Sequence, residues 1–106
     1  MAEVMSIEDL RGRIDVIDDQ LVRLLNVRVA CAVEVGRLKH EAGMPIYQPD
    51  REARVLAGVR KSATDLAGPL TAEAVVRIFE RIIDEARRAE RAASERRDGS
   101  SPSIGE

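Results

Sequence analysis

The stretch NVRVACAVEVGRLKH, from Asn26 to His40, decides the fold that we predict, because it combines a helical pattern with two cations on its apolar side. Arg28 and Lys39 are eleven positions apart. At about 100° per residue, that spacing returns them to nearly the same side of a helix. Ala32 and Val35 share this side. The pattern therefore predicts a helix that carries two cations along its apolar face.

The same helical pattern extends outward from this stretch in both directions. Ser6 is a typical N-cap residue, followed by acidic residues in the first turn, and Gly43 with Pro45 indicates where the helix ends. We predict a first helix of about 35 residues, on the order of 50 Å long. Its apolar residues recur at spacings of three and four: Leu10, Ile14, Ile17, Leu21, Leu24, Leu25, Ala32, Val35 and Leu38.

Two further helices are predicted after the connection GMPIYQP (43–49). Pro49 fits the first turn of the second helix, and KSATDLAGP (61–69) indicates the next loop. Thr71 is the predicted N-cap of the third helix. The second helix has a short apolar face of Val55, Leu56 and Val59, and the third has a stripe of Val75, Val76, Phe79, Ile82, Ile83 and Ala86. The sequence thus predicts an all-α fold with three helices per chain, one of them very long.

The helical domain is expected to cover residues 1–93. The remaining segment, SERRDGSSPSIGE (94–106), is polar and contains Gly, Ser and Pro, so we expect it to be disordered. The stretch ARRAERAASERR (86–97) carries five Arg, which would suit a nucleic-acid-binding arm. Its interspersed Glu residues and the net charge of −2 favour a solvated helix end instead.

Composition excludes several classes of function. A formal net charge of −2 in 106 residues gives no positive field to attract nucleic acid or an anionic membrane. MAEVMSIEDL (1–10) lacks the apolar core of a signal peptide, and no apolar run approaches the length of a membrane span. The chain has one cysteine, Cys31, and one histidine, His40. This argues against a zinc site and suits a reducing compartment, with Cys31 as a packing residue. We expect a cytoplasmic protein without a metal.

A long helix with an apolar stripe from end to end cannot be covered by two shorter helices of the same chain. The simplest remedy is a two-fold homodimer in which the long helices pack on each other. The alternative is a lone three-helix bundle whose first helix frays.

Arg28 interrupts the middle of the apolar stripe, where a buried guanidinium without an anion would cost on the order of several kcal/mol. Its small neighbours leave room beside it. An acidic side chain of the protein could pair with the two cations, or their stems could extend so that the charges reach solvent. Alternatively, a small dianion binds between them. On the third helix, Glu90 continues the stripe past Ala86. It either faces the same space or marks where the helix emerges into solvent.

Three stretches taken together resemble the all-helical chorismate mutase family: LRGRIDVIDDQLVRLLNVRVACAVEVGRLK (10–39), PDRE (49–52) and RIFERIIDEA (77–86). The resemblance runs from Ile7 to Glu90. It implies an intertwined homodimer of three-helix subunits, with helices shared between subunits and two active sites between the chains. It also implies the Claisen rearrangement of chorismate to prephenate, a step toward phenylalanine and tyrosine. That unimolecular reaction needs no metal and no cofactor.

The resemblance further implies roles for individual residues. Arg28, together with Arg11 of the other subunit, would bind the two carboxylates of chorismate. Lys39 would reach the ether oxygen of the breaking bond. Arg51 would support the anion-binding network, and Glu52 would receive the ring hydroxyl.

Three positions differ from the commonest pattern of that family. Gln48 stands where an Asp is frequent, and Ala86 stands where a small hydroxyl residue is sometimes seen. Glu90 stands where a Gln often donates to the ether oxygen. To donate, Glu90 must be protonated, which requires that burial raise its pKa, whereas nearby Lys39 would favour the charged form.

Two other functions remain open from the sequence. An isochorismate pyruvate-lyase has the same fold and a similar cationic site, and would release pyruvate and salicylate. VGRLK (35–39), DRE (50–52) and the carboxylate at Glu90 favour the mutase. A non-catalytic helical module would instead regulate a fused or partner enzyme of the pathway, but the retained cations argue against a degenerate site.

Overall fold

The structure, a computed structural model, describes residues 4–45 and 47–98, and this part of the chain forms three α-helices. α1 is Ile7–Glu41, α2 is Pro49–Leu66 and α3 is Ala72–Arg97. α2 packs along α3, and α3 in turn packs against α1. The predicted all-α fold with one very long helix is confirmed.

The ends of α1 follow from its sequence. The Ser6 hydroxyl accepts from the backbone N–H of Asp9 at 3.0 Å, while the Asp9 carboxylate accepts from the backbone N–H of Ser6 at 3.1 Å. This capping box pairs two N–H groups that the helix itself leaves unbonded. After Glu41 the chain turns through Gly43, whose φ of +68° suits a residue without a Cβ. α1 is 35 residues long, as predicted.

α2 begins at Pro49 as predicted, but it continues through residues 61–66, where the prediction of a loop was wrong. These residues contain no helix breaker, and Lys61 adds an i,i+4 ion pair with Asp65 at 2.7 Å. The helix ends only at Ala67, which adopts a left-handed conformation with φ of 51° immediately before Gly68. The loop to α3 is therefore shorter than the composition indicated.

α3 begins where Thr71 predicts it, with the Thr71 hydroxyl accepting from the backbone N–H of Ala74 at 3.0 Å. It extends to Arg97, so residues 94–97 are helical and not part of a disordered tail. Good helix formers and the buried Ala93 explain the extension. Residues 99–106 of the predicted tail lie outside the described residues.

The two halves of α1 have different surroundings. In residues 28–41, Arg28 and Gly36 lie beside α3. The apolar side chains of residues 7–27 are exposed, for example Ile14 at 53% and Leu21 at 51%. The radius of gyration is 18.7 Å, against about 13 Å for a compact domain of 100 residues. None of the helices in the described residues combines the length and apolar character needed to cross a bilayer.

Candidate functional site

A cavity of about 730 Å³ lies between residues 28–39 of α1, the beginning of α2 and the C-terminal part of α3. It contains seven of the eight site residues predicted from the sequence: Arg28, Lys39, Gln48, Arg51, Glu52, Ala86 and Glu90. The remaining lining residues are Cys31, Ala32, Val35, Tyr47, Val55, Ile83, Arg87 and Arg91.

The α1 wall of the cavity carries the two cations whose spacing predicted a shared face. Arg28 and Lys39 line it together with Ala32 and Val35, so that shared face is observed. The ion pairs observed among residues 4–45 and 47–98 involve other cations, while the charge of Lys39 acts on the nearby Glu90 carboxyl. The Arg28 guanidinium lies over the Phe79 ring, 5.9 Å from its centroid. Both cations are thus available to an anion in the cavity.

The first turn of α2 supplies the second wall. The backbone N–H groups of Arg51 and Glu52 donate to the carbonyl of Gln48 at 3.1 and 3.3 Å. Because positions i, i+3 and i+4 share one side of a helix, all three side chains line the cavity. PDRE therefore works as a local unit: Pro49 starts the helix, and the turn directs Arg51 and Glu52 inward.

Glu52 is held by a residue that sequence reasoning missed. Arg87 of α3 donates from Nε to one Glu52 carboxylate oxygen at 3.1 Å and from Nη2 to the other. Its Nη1 donates to Asp84 at 2.8 Å, and its guanidinium lies 5.9 Å from the centroid of the Tyr47 ring. The hydrogen bonds to Glu52 raise the pKa of Arg87, so the guanidinium stays positively charged. Arg87 follows Ile83 by four positions, and this stripe spacing was the available signal.

Glu90 lies in the cavity, half-buried against α1, and the alternative of a solvated helix end is not observed. A Cβ on Gly36 would stand 3.5 Å from Glu90 Oε1, so the carboxyl rests directly beside this glycine. Burial raises the pKa of Glu90, opposed by the charges of Lys39 and Arg87 and reinforced by Glu52. The direction agrees with the prediction, and it keeps a proton on Glu90 at higher pH than an ordinary carboxyl.

The balance of charge makes the cavity a site for an anion. Five cations line it (Arg28, Lys39, Arg51, Arg87 and Arg91) against two carboxylates, in a chain whose net charge is −2. Ala86, only 4% exposed, contributes an apolar surface without a hydrogen-bonding group. Cys31 is exposed in the single chain, so its predicted role in packing is not observed here.

Arg11 is the one predicted site residue outside this cavity. It precedes Arg28 by 17 positions on the same helix, which is about 25 Å along the axis. A rigid α1 therefore keeps Arg11 away from the cavity of its own chain.

Residues 10–91 match the family model described as chorismate mutase type II. The chain is 34% identical to the T-protein of Haemophilus influenzae over 80% of its own length and 22% of that protein. It is 35% identical to the bifunctional chorismate mutase/prephenate dehydratase of Aquifex aeolicus, over 73% of the chain and 22% of that protein. It therefore spans about a fifth of the length of these curated relatives.

A solved structure of chorismate mutase (form II) from Thermus thermophilus has a similar fold. Its TM-score is 0.74 at 32% identity, covering 80% of this chain and 93% of that one. The family model matches residues 10–91, most of the 106 residues. The chain belongs to the type II chorismate mutase family.

Proposed function

We propose that this chain catalyses the rearrangement of chorismate to prephenate, in the biosynthesis of phenylalanine and tyrosine, with neither metal nor cofactor. The observation that carries the proposal is the cavity wall of α1, where Arg28 and Lys39 take no part in the ion pairs observed among the described residues. Lys39 lies near Glu90, a carboxyl whose pKa is raised by burial. A dicarboxylate substrate supplies the negative charge that these cations lack.

The first task of the site is to select a reactive conformer. The rearrangement breaks one C–O bond and forms one C–C bond within a single molecule, so the two reacting ends must be held together. Arg28 binds one carboxylate, and Arg11 of a second subunit binds the other. Arginine suits this task because its planar fork pairs with carboxylate through two hydrogen bonds.

The second task is to stabilise the negative charge that grows on the ether oxygen as the C–O bond breaks. Lys39 provides a compact positive charge there, and protonated Glu90 provides a hydrogen-bond donor. Interactions that strengthen as the bond breaks lower the barrier, whereas equal binding of substrate and transition state does not. Ionised Glu90 would instead repel the oxyanion, so its raised pKa supports this role.

The remaining residues orient the substrate. Glu52 receives the ring hydroxyl, Arg51 supports the anion-binding network, and Gln48 offers an amide beside them. Ala86 carries no polar group, so a carboxylate contact from that position is lost.

The active form in this proposal is an intertwined homodimer, supported by the exposed apolar stripe of α1. The apolar stripe of residues 7–27 is uncovered in a single chain, and a second copy of the same stripe is the surface that a two-fold axis would bring against it. The dimer would also carry Arg11 to the cavity of the partner chain. A cytoplasmic location and a partner enzyme of the same pathway belong to the proposal as expectations.

The test is direct. Purified protein is incubated separately with chorismate and isochorismate, and the products are separated. We expect prephenate from chorismate, and Arg28→Ala to lower kcat/KM by about 30-fold or more, because truncating a buried charge contact costs about 2–5 kcal/mol.

Arg37→Ala is the matched control. Arg37 lies on the same helix, outside the cavity, and pairs with Glu34 at 2.6 Å, so its loss should leave turnover near that of the wild type. Salicylate and pyruvate from isochorismate, without prephenate from chorismate, would assign the lyase reaction instead. Inactivity toward both substrates would favour a regulatory module.

A further inference from the structure

We propose that Arg87 is a positioning residue for Glu52, which it clamps by both carboxylate oxygens so that the substrate hydroxyl is received at a fixed point. This inference rests on the proposed function. It gives a role to a cavity residue for which the resemblance to the family implies none.

The geometry is that of a fork on a carboxylate. Arg87 approaches Glu52 with Nε and Nη2, one nitrogen for each oxygen, from a helix 35 residues further along the chain. Such paired hydrogen bonds fix orientation as well as distance. Glu52 is 27% exposed and sits in the first turn of α2, where Gln48 provides only backbone contacts to hold that turn. Without the fork, the Glu52 side chain is free to change rotamer.

The guanidinium of Arg87 is itself fixed on two further sides. Asp84, one turn earlier on α3, accepts from Nη1 at 2.8 Å, and the Tyr47 ring lies beside the guanidinium. The clamp therefore joins the loop before α2, the first turn of α2 and the surface of α3 at one cation.

Binding of a hydroxyl by Glu52 is compatible with this clamp. An ionised carboxylate has about four positions at which it can accept hydrogen bonds, and the fork uses two. The positive charge of Arg87 also acts on both carboxyls that share the cavity, Glu52 and Glu90. Glu90 is surrounded by Lys39 from α1, Glu52 from α2 and Arg87 from its own helix. Loss of Arg87 would leave Glu52 uncompensated beside Glu90.

The experiment compares Arg87→Met, Arg87→Lys and the control Arg81→Met in the full chain. Arg81 is an exposed arginine of α3 whose ion pair with Glu85, at 2.8 Å, lies away from the cavity. We expect Arg87→Met to raise KM by about 10- to 100-fold, with a smaller change in kcat, because a misplaced binding group loses affinity before it loses chemistry.

The lysine variant separates geometry from charge. Lysine restores the positive charge but not the fork. It should therefore leave KM high while returning the alkaline limb of the pH profile toward that of the wild type. In Arg87→Met that limb should move to higher pH, since Glu90 has lost a neighbouring cation. Titration of the ¹³C-labelled Glu90 carboxyl, assigned by the signal missing in Glu90→Gln, should show the same rise in pKa without any turnover.

A purely structural role predicts a different outcome. It would lower the thermal unfolding midpoint of Arg87→Met while leaving KM and the Glu90 titration of the folded protein unchanged, and that result would overturn the inference. So would kinetics equal to those of Arg81→Met in an active enzyme. A wild-type protein that leaves chorismate unchanged would instead overturn the proposed function, and the positioning role with it.

Discussion

The N-terminal half of α1, residues 7–27, and its C-terminal half, residues 28–41, belong to one continuous helix but differ in what lies beside them. In the C-terminal half, Arg28 and Lys39 face a cavity closed by α2 and α3. In the N-terminal half, residues such as Ile14 and Leu21 carry the same apolar stripe, which the described part of the chain leaves exposed. One half of the helix thus lines a cavity, and the other half carries an apolar stripe without a partner surface in the described part of the chain.

The difference shows how one amphipathic pattern can serve two purposes. A stripe that needs burial drives association when the chain has no further helix to cover it. A stripe interrupted by cations needs an anion. In the proposed homodimer the two halves depend on each other, because the N-terminal half of one chain carries Arg11 to the cavity of the other.

The largest expected effect comes from disrupting the exposed apolar stripe of residues 7–27. Leu21→Asp places a charge in the middle of the proposed interface, where desolvation would oppose pairing of the two helices. We expect a monomer by light scattering, and a loss of mutase activity of about 30-fold or more, since each site would lack Arg11.

Gln20→Glu is the companion variant, because it adds a negative charge one position away but off the apolar stripe. It should remain dimeric and active. A fully active Leu21→Asp monomer would show that the cavity of a single chain suffices.

The next effect concerns Glu90, in the cavity beside the C-terminal half of α1, and is seen in the pH dependence of kcat/KM. Burial raises the pKa of Glu90 above its ordinary value near 4.5, so the donor form persists at low pH and is lost as pH rises through the raised pKa. Wild-type kcat/KM should therefore fall about tenfold per pH unit above that point. Glu90→Gln, which cannot ionise, should flatten this decline. An unchanged alkaline decline in the variant would mean that another group titrates.

The smallest effect concerns the far end of the uncovered half. Ser6→Ala removes the hydroxyl that accepts from the Asp9 backbone at 3.0 Å, which typically lowers the free energy of unfolding by about 1 kcal/mol. Urea unfolding should detect this change, while kcat/KM per folded site stays constant. Thr71→Ala, at the equivalent cap of α3, is the matched comparison. A large loss of turnover in Ser6→Ala would contradict a purely local role for the cap.

Much of this molecule could be predicted from its sequence because the signals are local. Spacing placed Arg28 and Lys39 on one face, and Ser6, Pro49 and Thr71 marked three helix starts. The end of α2 was misplaced because the end of a helix depends on the first residue that breaks it, here Ala67 before Gly68, more than on polarity.

Arg87 was missed for a different reason. Its partner Glu52 lies 35 positions away, and such pairings depend on how helices pack against one another. Its spacing of four from Ile83 could have indicated the inner face of α3, but only the packing of α2 on α3 brings the two charges together.

Complementation between two inactive variants most directly tests whether each active site needs Arg28 from one chain and Arg11 from the other. Arg11→Ala and Arg28→Ala are purified separately, unfolded together, refolded, and assayed by loss of chorismate absorbance. Each variant alone should be nearly inactive. Random pairing makes about half of the dimers mixed, each with one intact site, so the mixture should recover about a quarter of wild-type activity. No recovery from a mixture that has refolded to dimers would contradict a site completed by the partner chain.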